Sequence, residues 1–228
     1  MNLKTPSKLK IREIIQSHSS FIEDPSSGNP ADLSELNLFG FKFEGLNLTG
    51  VNFTGSRLTQ CIFSNCILVG AEFDGSFGSV AFFDECEMDG TSWVGAAITS
   101  SLVSDCSLIG ANMFDANFSE TKFLRTDLSE SNLANTNLLE SEFNYVDLNG
   151  VVGNKENIIS MQVGGYDVTY TDSVLQIGKH QKTIQEWKSI WMSKDPNAAE
   201  LHVLMNVANF ALEAIHSFPA KPTTTSEI

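Results

Sequence analysis

The 228-residue chain carries 28 acidic against 14 basic residues, a net charge of −14 at pH 7, and 42% of it is hydrophobic. A field of that sign repels phosphates, so direct nucleic-acid binding is not expected. No apolar run approaches the length of a bilayer span, and the basic start (Lys4, Lys8, Lys10, Arg12) has no apolar stretch after it of the kind a secretory signal requires. A cytoplasmic protein with no membrane partner is the expectation.

Residues 1–30 read as an N-terminal helical cap and linker. Between 6 and 17, Leu9, Ile11, Ile14 and Ile15 recur at helical spacing, and a stretch rich in Pro, Ser and Gly follows from Pro25 to Pro30. Such a helix would cover one end of whatever follows; a short basic helix lying on a membrane surface is the rival reading.

From Leu33 to Leu148 every fifth residue is large and apolar, with Gly78 the one exception. A period of five fits neither a helix nor an ordinary strand, so each unit is a very short extended piece followed by a bend. Two residues after the apolar slot, Gly fills ten positions, as turns with positive φ demand; two residues before it the chain is mostly small, with Ala, Ser, Thr or Cys. A twenty-residue period stacks like over like, giving the column Phe43, Phe63, Phe83, Val103, Phe123, Phe143 and the column Leu48, Leu68, Met88, Leu108, Leu128, Leu148. Residues 31–150 are therefore expected to form a four-sided parallel β-solenoid of about six coils, roughly 29 Å tall at ordinary strand spacing. At Gly78 a hole is expected between Leu58 and Ile98, filled by Phe77 or Trp93.

Units such as Ala111-Asn112-Met113-Phe114-Asp115, Ala116-Asn117-Phe118-Ser119-Glu120 and Ser131-Asn132-Leu133-Ala134-Asn135 resemble the A-(D/N)-L-x-x unit of pentapeptide-repeat proteins. The resemblance covers about half of the chain and implies that family's right-handed quadrilateral β-helix. Members similar in repeat include quinolone-resistance proteins that bind DNA gyrase as duplex mimics. No long loop interrupts the coils here, unlike several gyrase-directed relatives.

Beyond Gly150, residues 151–228 read as C-terminal strands and helices that cap the solenoid or dimerise. Tyr166 to Tyr170 and Val174 to Ile177 alternate like strands. A helix is expected near Thr183 to Met192, with Ile184, Trp187, Ile190 and Trp191 on one side. A second is expected between Asp195-Pro196 and Phe218-Pro219. Its Leu201, Leu204, Ala208, Ala211, Leu212 and Ile215 suit burial against the last coil or a second copy, so a homodimer through the C-terminal helices is a further expectation. The run Leu175-Gln176-Ile177-Gly178 followed by Glu186-Trp187 is similar to tails of phage and bacterial pentapeptide proteins.

Catalytic chemistry is not expected. All four histidines lie outside the repeat, and no nucleophile, base and orienting acid form a motif. Cys61, Cys66, Cys86 and Cys106 fall at the small inward position, where reduced, inert thiols serve as core residues. The run Asp84-Glu85-Cys86-Glu87-Met88-Asp89 has its acids split over two sides of the coil, which suits a solvated surface better than a calcium site. Neither metal nor cofactor is expected.

The charge belongs to the coils: residues 31–150 hold 17 acids and 4 bases. Two adjacent sides, centred on the Phe73 and Met88 columns, carry ten acids and no base. These are Asp32, Glu35, Glu72, Asp74 and Asp115 on one side, and Glu87, Asp89, Asp127, Glu130 and Asp147 on the other. Duplex DNA ~29 Å long displays about 17 charges, comparable to this segment. Since these acids point outward, reversing Glu72, Asp74, Glu87 and Asp89 is expected to leave folding intact. A second feature is the ladder Ile62, Phe82 and Leu102, apolar side chains at an outward position in three successive coils, which calls for a cover. Two functions follow. One is a non-enzymatic interaction module whose acidic solenoid mimics DNA, its partner DNA gyrase or topoisomerase IV as the resemblance implies. The other is a structural or assembly scaffold, in keeping with the phage-like tail, that uses the ladder and the C-terminal helices.

Overall fold

Each five-residue unit makes one side of a square coil because its middle residue points in and its last bend is left-handed. In the computed structural model, which describes residues 3–153, 158–163, 166–171, 174–178, 180–193, 204, 207 and 208, every position two after the slot, from Glu35 to Gly150, has positive φ. Where Gly is absent, polar residues such as Asn65, Asp105 and Asp115 take the bend. Val80, at φ 56°, is the β-branched exception.

Strands form where units extend enough to pair. β1 (Lys42–Glu44), β2 (Ile62–Ser64), β4 (Phe82–Asp84), β6 (Leu102–Ser104), β7 (Lys122–Leu124) and β8 (Glu142–Asn144) stack as a six-stranded parallel sheet in five steps of twenty residues. On the neighbouring side, β3 (Phe77–Ser79) pairs with β5 (Ala97–Thr99), and the remaining sides are tied by single parallel bridges twenty apart. The fold is a parallel β-solenoid with a helix at its N-terminal end and a small α+β region at its C-terminal end, as the repeat predicts.

Inside, the phenylalanine columns stack ring on ring. Phe43, Phe63 and Phe83 follow one another at 4.8 and 4.9 Å, and Phe53, Phe73 and Trp93 at 4.8 and 4.0 Å. Between the columns the rings meet edge to face, as Phe53 does with Phe63 at 5.6 Å; such pairs add about 0.5–1.5 kcal/mol each beyond burial. The small inward position has a second function besides fitting. In several coils its hydroxyl or thiol donates to the slot carbonyl of the coil below: Thr121 to Ile98 at 3.1 Å, Thr136 to Met113 at 2.7 Å, Cys61 to Leu38 at 2.9 Å. Cysteine is one more small donor there, and all four thiols are free and buried. Burial pushes the Cys61 thiol up to about 12. For Cys86, its hydrogen bond with Cys106 and then burial push it up to about 11.

Gly78 corrects the expectation of a hole. A side chain there would sit 2.6 Å from the Thr59 nitrogen and 2.7 Å from the Leu58 carbonyl carbon, so the coils close up at this point. Phe77 faces outward, and Trp93 continues the Phe73 stack in its own column.

The N-terminal helix α1 (Lys8–Glu23) starts two residues later than the pattern suggests and runs six further, because Ser7 caps it by accepting from the Lys10 N–H at 3.1 Å. Ile11 and Ile15 enter the solenoid core. His18 is buried, its Nδ1 accepting from the Ala31 N–H at 3.2 Å.

The C-terminal region contains a four-stranded antiparallel sheet ordered β12-β11-β10-β9: β9 (Ile159–Val163), β10 (Tyr166–Tyr170), β11 (Val174–Ile177) and β12 (His180–Thr183). The expected strands are the inner two, β10 and β11; β12 is polar throughout, while β9, Ile159-Ser160-Met161-Gln162-Val163, alternates and adds a strand that the expectation leaves out. Glutamines seal the last coil. Gln176 accepts from the Leu148 N–H at 2.7 Å and donates to Asp147, while Gln181 donates to the Val146 carbonyl. Thr169 adds a bond to the Leu148 carbonyl at 3.1 Å. Helix α2 (Ile184–Ser193) follows a capping box in which Thr183 and Glu186 bond reciprocally, and Trp187 donates to the Leu175 carbonyl at 2.8 Å. Leu204 and Ala208 pack into this region's own core with Val168, Tyr170, Leu175 and Trp187. The rest of the expected second helix, including Leu201, Ala211, Leu212 and Ile215, and the side chain of Trp191 lie outside the described residues.

Candidate partner-binding surfaces

Bridges align the acidic columns as the twenty-residue period requires. Asp32, Asn52, Glu72, Ser92, Asn112 and Asn132 stack on one side, and Asn47, Ile67, Glu87, Ser107, Asp127 and Asp147 on the next. The ten carboxylates nevertheless divide into two kinds. Asp32, Asp127 and Asp147 accept the N–H two residues on, at 3.0, 2.8 and 2.9 Å, as the Asn of other units does at Asn52 and Asn132. This bond is the physical reason for Asn or Asp before the slot.

Where that position holds Ser, an Asp from the coil below supplies the acceptor. Asp74 accepts from the Ser92 hydroxyl and from the Val94 N–H at 2.9 Å; Asp89 accepts from the Ser107 hydroxyl and from the Ile109 N–H at 3.0 Å. Asp74 and Asp89 therefore hold consecutive coils together, which corrects the expectation that reversing them leaves folding intact. Five acids, Glu35, Glu72, Glu87, Asp115 and Glu130, make no side-chain hydrogen bond or ion pair among the described residues. Their side chains are unengaged within that set.

The other two sides carry every base of the coils. Arg125 grips Asp105 through two bonds of 2.6 Å, which holds the Asp105 carboxyl below its usual range, and Lys122 meets Glu142 at 2.8 Å. Arg57 lies 5.0 Å from the centre of the Phe39 ring. Ile62, Phe82 and Leu102 stack in register here, bracketed by Lys42 below and Lys122 above. Phe82 is 39% exposed, while Ile62 and Leu102 are half-buried. The ladder also turns a corner that the five-residue pattern does not reveal: Phe77 (36% exposed) and Val80 (41%) continue it within the coil of Phe82. A β-branched residue in a left-handed bend at a surface is costly, and its sequence signal is Val where Gly or Asn is the rule.

Among the described residues no group of three His, Cys, Asp or Glu side chains is arranged to hold a metal ion, and no helix is long and apolar enough to cross a membrane.

Two family models match: one described as a pentapeptide repeat region over residues 56–133, and one described as pentapeptide repeats over 31–70 and 122–151. Together they span 31–151, more than half of the chain. Similar solved structures include a trypsin-treated variant of QnrB1, a plasmid-mediated fluoroquinolone resistance protein. It is 24% identical, with 53% of this chain and 75% of that one covered and a TM-score of 0.35. Another is HetL, involved in heterocyst differentiation regulation in the cyanobacterium Nostoc, at 17% identity, 58% and 76% coverage, and a TM-score of 0.29. A third is a pentapeptide repeat protein of the Arabidopsis thaliana thylakoid lumen, at 24% identity, 42% and 61% coverage, and a TM-score of 0.31. No curated protein matches the sequence.

Proposed function

The chain belongs to the pentapeptide-repeat family, and on that premise we propose that it is a non-enzymatic, cytoplasmic protein-interaction module whose acidic sides occupy the DNA-binding groove of a partner. One observation carries this reading: ten carboxylates stand on two adjacent sides without a single base, in columns that repeat with the coil. Over ~29 Å of height the coils offer a linear charge density close to that of a duplex. Glu35, Glu72, Glu87, Asp115 and Glu130 are free to meet the partner's Lys and Arg; the bound acids add field from fixed positions. The target this reading favours is a type II topoisomerase, DNA gyrase or topoisomerase IV, because the repeat resembles that of quinolone-resistance proteins.

The test is binding to immobilised gyrase and topoisomerase IV at low and high salt, with duplex DNA as competitor. Capture that falls steeply with salt and is displaced by DNA supports the reading. Capture that ignores both contradicts it.

A second reading, an assembly scaffold, is favoured by the strained Val80 beside Phe77 and Phe82. Replacing Phe82 with Asp should then change the oligomeric state or the partners retained.

A further inference from the structure

At the N-terminal end of the solenoid one strand edge is open among the described residues, where β1 has β2 as its only neighbour in the sheet. Its pairing upward uses Phe41, which accepts from the Ile62 N–H at 3.0 Å, and Gly45, which donates to the Ser64 carbonyl at 2.9 Å. Since main-chain groups alternate along a parallel strand, the N–H and C=O of Lys42 and Glu44 point the other way, toward the side with no strand. On the adjoining side of the same end the chain shows what such an edge accepts. Lys4 bridges Leu36 in parallel, with its carbonyl 3.0 Å from the Asn37 N–H, and Thr5 Oγ1 takes the Asn37 amide at 3.0 Å.

Next to the open edge lies a cleft of about 510 Å³ between α1 and the first coil. Ile11, Ile15 and Phe41 give it an apolar floor, and Lys8, Arg12 and Lys42 stand round it against one acid, Glu44. None of the three cations makes an ion pair among the described residues. Lys8 also sits in the first turn of α1, which holds no acid at all, so the helix carries positive charge at the end where its dipole is already positive. In a protein of net charge −14 this is a cationic niche.

We infer that this cleft binds an extended acidic segment of a partner protein by strand addition. The segment pairs with the free groups of Lys42 and Glu44 and sets an apolar side chain over Ile11 and Ile15. Its carboxylates lie at the end of the cleft marked by Lys8, Arg12 and Lys42, away from Glu44. The site lies at an end of the solenoid and is independent of the acidic sides.

The probe is a seven-residue peptide, acetylated and amidated, in which Glu alternates with Ile and Val. Its counterparts are the same peptide with Lys for Glu, and the Glu peptide N-methylated at alternate amides. Backbone NMR of the full chain reads the Lys42 and Glu44 amides directly. The Glu peptide should shift and protect both. Arg12→Glu and Lys42→Glu should each weaken it at least about tenfold with no change in melting temperature, whereas Lys10→Glu, on the helix face paired with Glu13, should not. The Lys and N-methylated peptides should fail. Equal binding of all three peptides, binding that leaves the two amides unmoved, or no binding at millimolar peptide would each overturn the inference.

Discussion

The two acidic sides and the two strand-bearing sides are made from the same repeat but spend their outward positions differently. On the acidic pair the coils are joined by single bridges, Asn or Asp before the slot ties most of the bends, and the charge that remains is of one sign. On the other pair the units extend into paired strands, and outward residues are free to be basic or apolar; Lys42, Arg57, Lys122 and Arg125 gather there with Phe77, Val80 and Phe82. One fold thus separates a charged surface from a sticky one across its own core. Charge segregation of this kind follows from a side-chain period that keeps each column on one side for the whole height of the stack.

The strongest way to break the comparison is to spoil the strand-bearing pair at its tightest point. Gly78→Leu places a side chain against the Leu58 and Thr59 backbone, and unfolding by denaturant should register a loss of about 3 kcal/mol or more. A cost below about 1 kcal/mol would mean that the coils do not close up there.

Next comes the division among carboxylates. Asp74→Lys or Asp89→Lys removes an acceptor for one hydroxyl and one N–H and should cost about 1–2 kcal/mol, while Glu72→Lys or Glu87→Lys should stay within about 0.5 kcal/mol. Equal effects from all four would erase the distinction between coil-tying and free acids.

Much of this was legible in the sequence and some was not, for reasons that the same residues explain. A slot that repeats every five residues names the core outright, so Phe43 to Leu148 fall where they were placed. Gly78 misled because an absent side chain reads equally as a void or as a close approach, and only the distance to Thr59 decides. Asp74 and Asp89 read as surface acids because their partners lie eighteen and twenty residues on, where Ser92 and Ser107 stand in place of Asn. β12, His180-Gln181-Lys182-Thr183, has no apolar residue to alternate, whereas β9, Ile159-Ser160-Met161-Gln162-Val163, does alternate and was legible. Val80 was visible as the wrong residue for a bend, yet nothing in the pattern said that Phe77 and Phe82 flank it.

A smaller effect sharpens the strand-bearing side. Val80→Gly relieves a left-handed β-branched residue and should raise stability by about 1 kcal/mol, with the melting temperature as readout; an unchanged or lower value would show the bend to be unstrained.

Smallest is the response to acid, which should spare both pairs of sides. Burial holds His18 below the ordinary imidazole value, so the unfolded chain takes up this proton more readily than the folded one. Its contribution is complete above the unfolded value of 6.5 and is lost as the pH falls below it. Protonation also removes the acceptor that Nδ1 offers to Ala31. Hydrogen exchange measured from pH 7.5 to 5 should rise first in α1 and at Ala31; exchange rising first in β4 or β6 would place the acid-labile element elsewhere.

The central claim is that the free acids of one pair of sides act as a duplex toward a partner. Its most direct measurement is inhibition of gyrase supercoiling by the wild type and by a variant carrying Glu72→Lys, Glu87→Lys, Glu130→Lys and Asp115→Asn, the last chosen because Asn keeps the left-handed bend. The account predicts that the wild type inhibits at micromolar concentration in competition with DNA, and that the variant melts like the wild type and does not inhibit. Inhibition unchanged in the variant, or a wild type inert toward gyrase and topoisomerase IV alike, would contradict it.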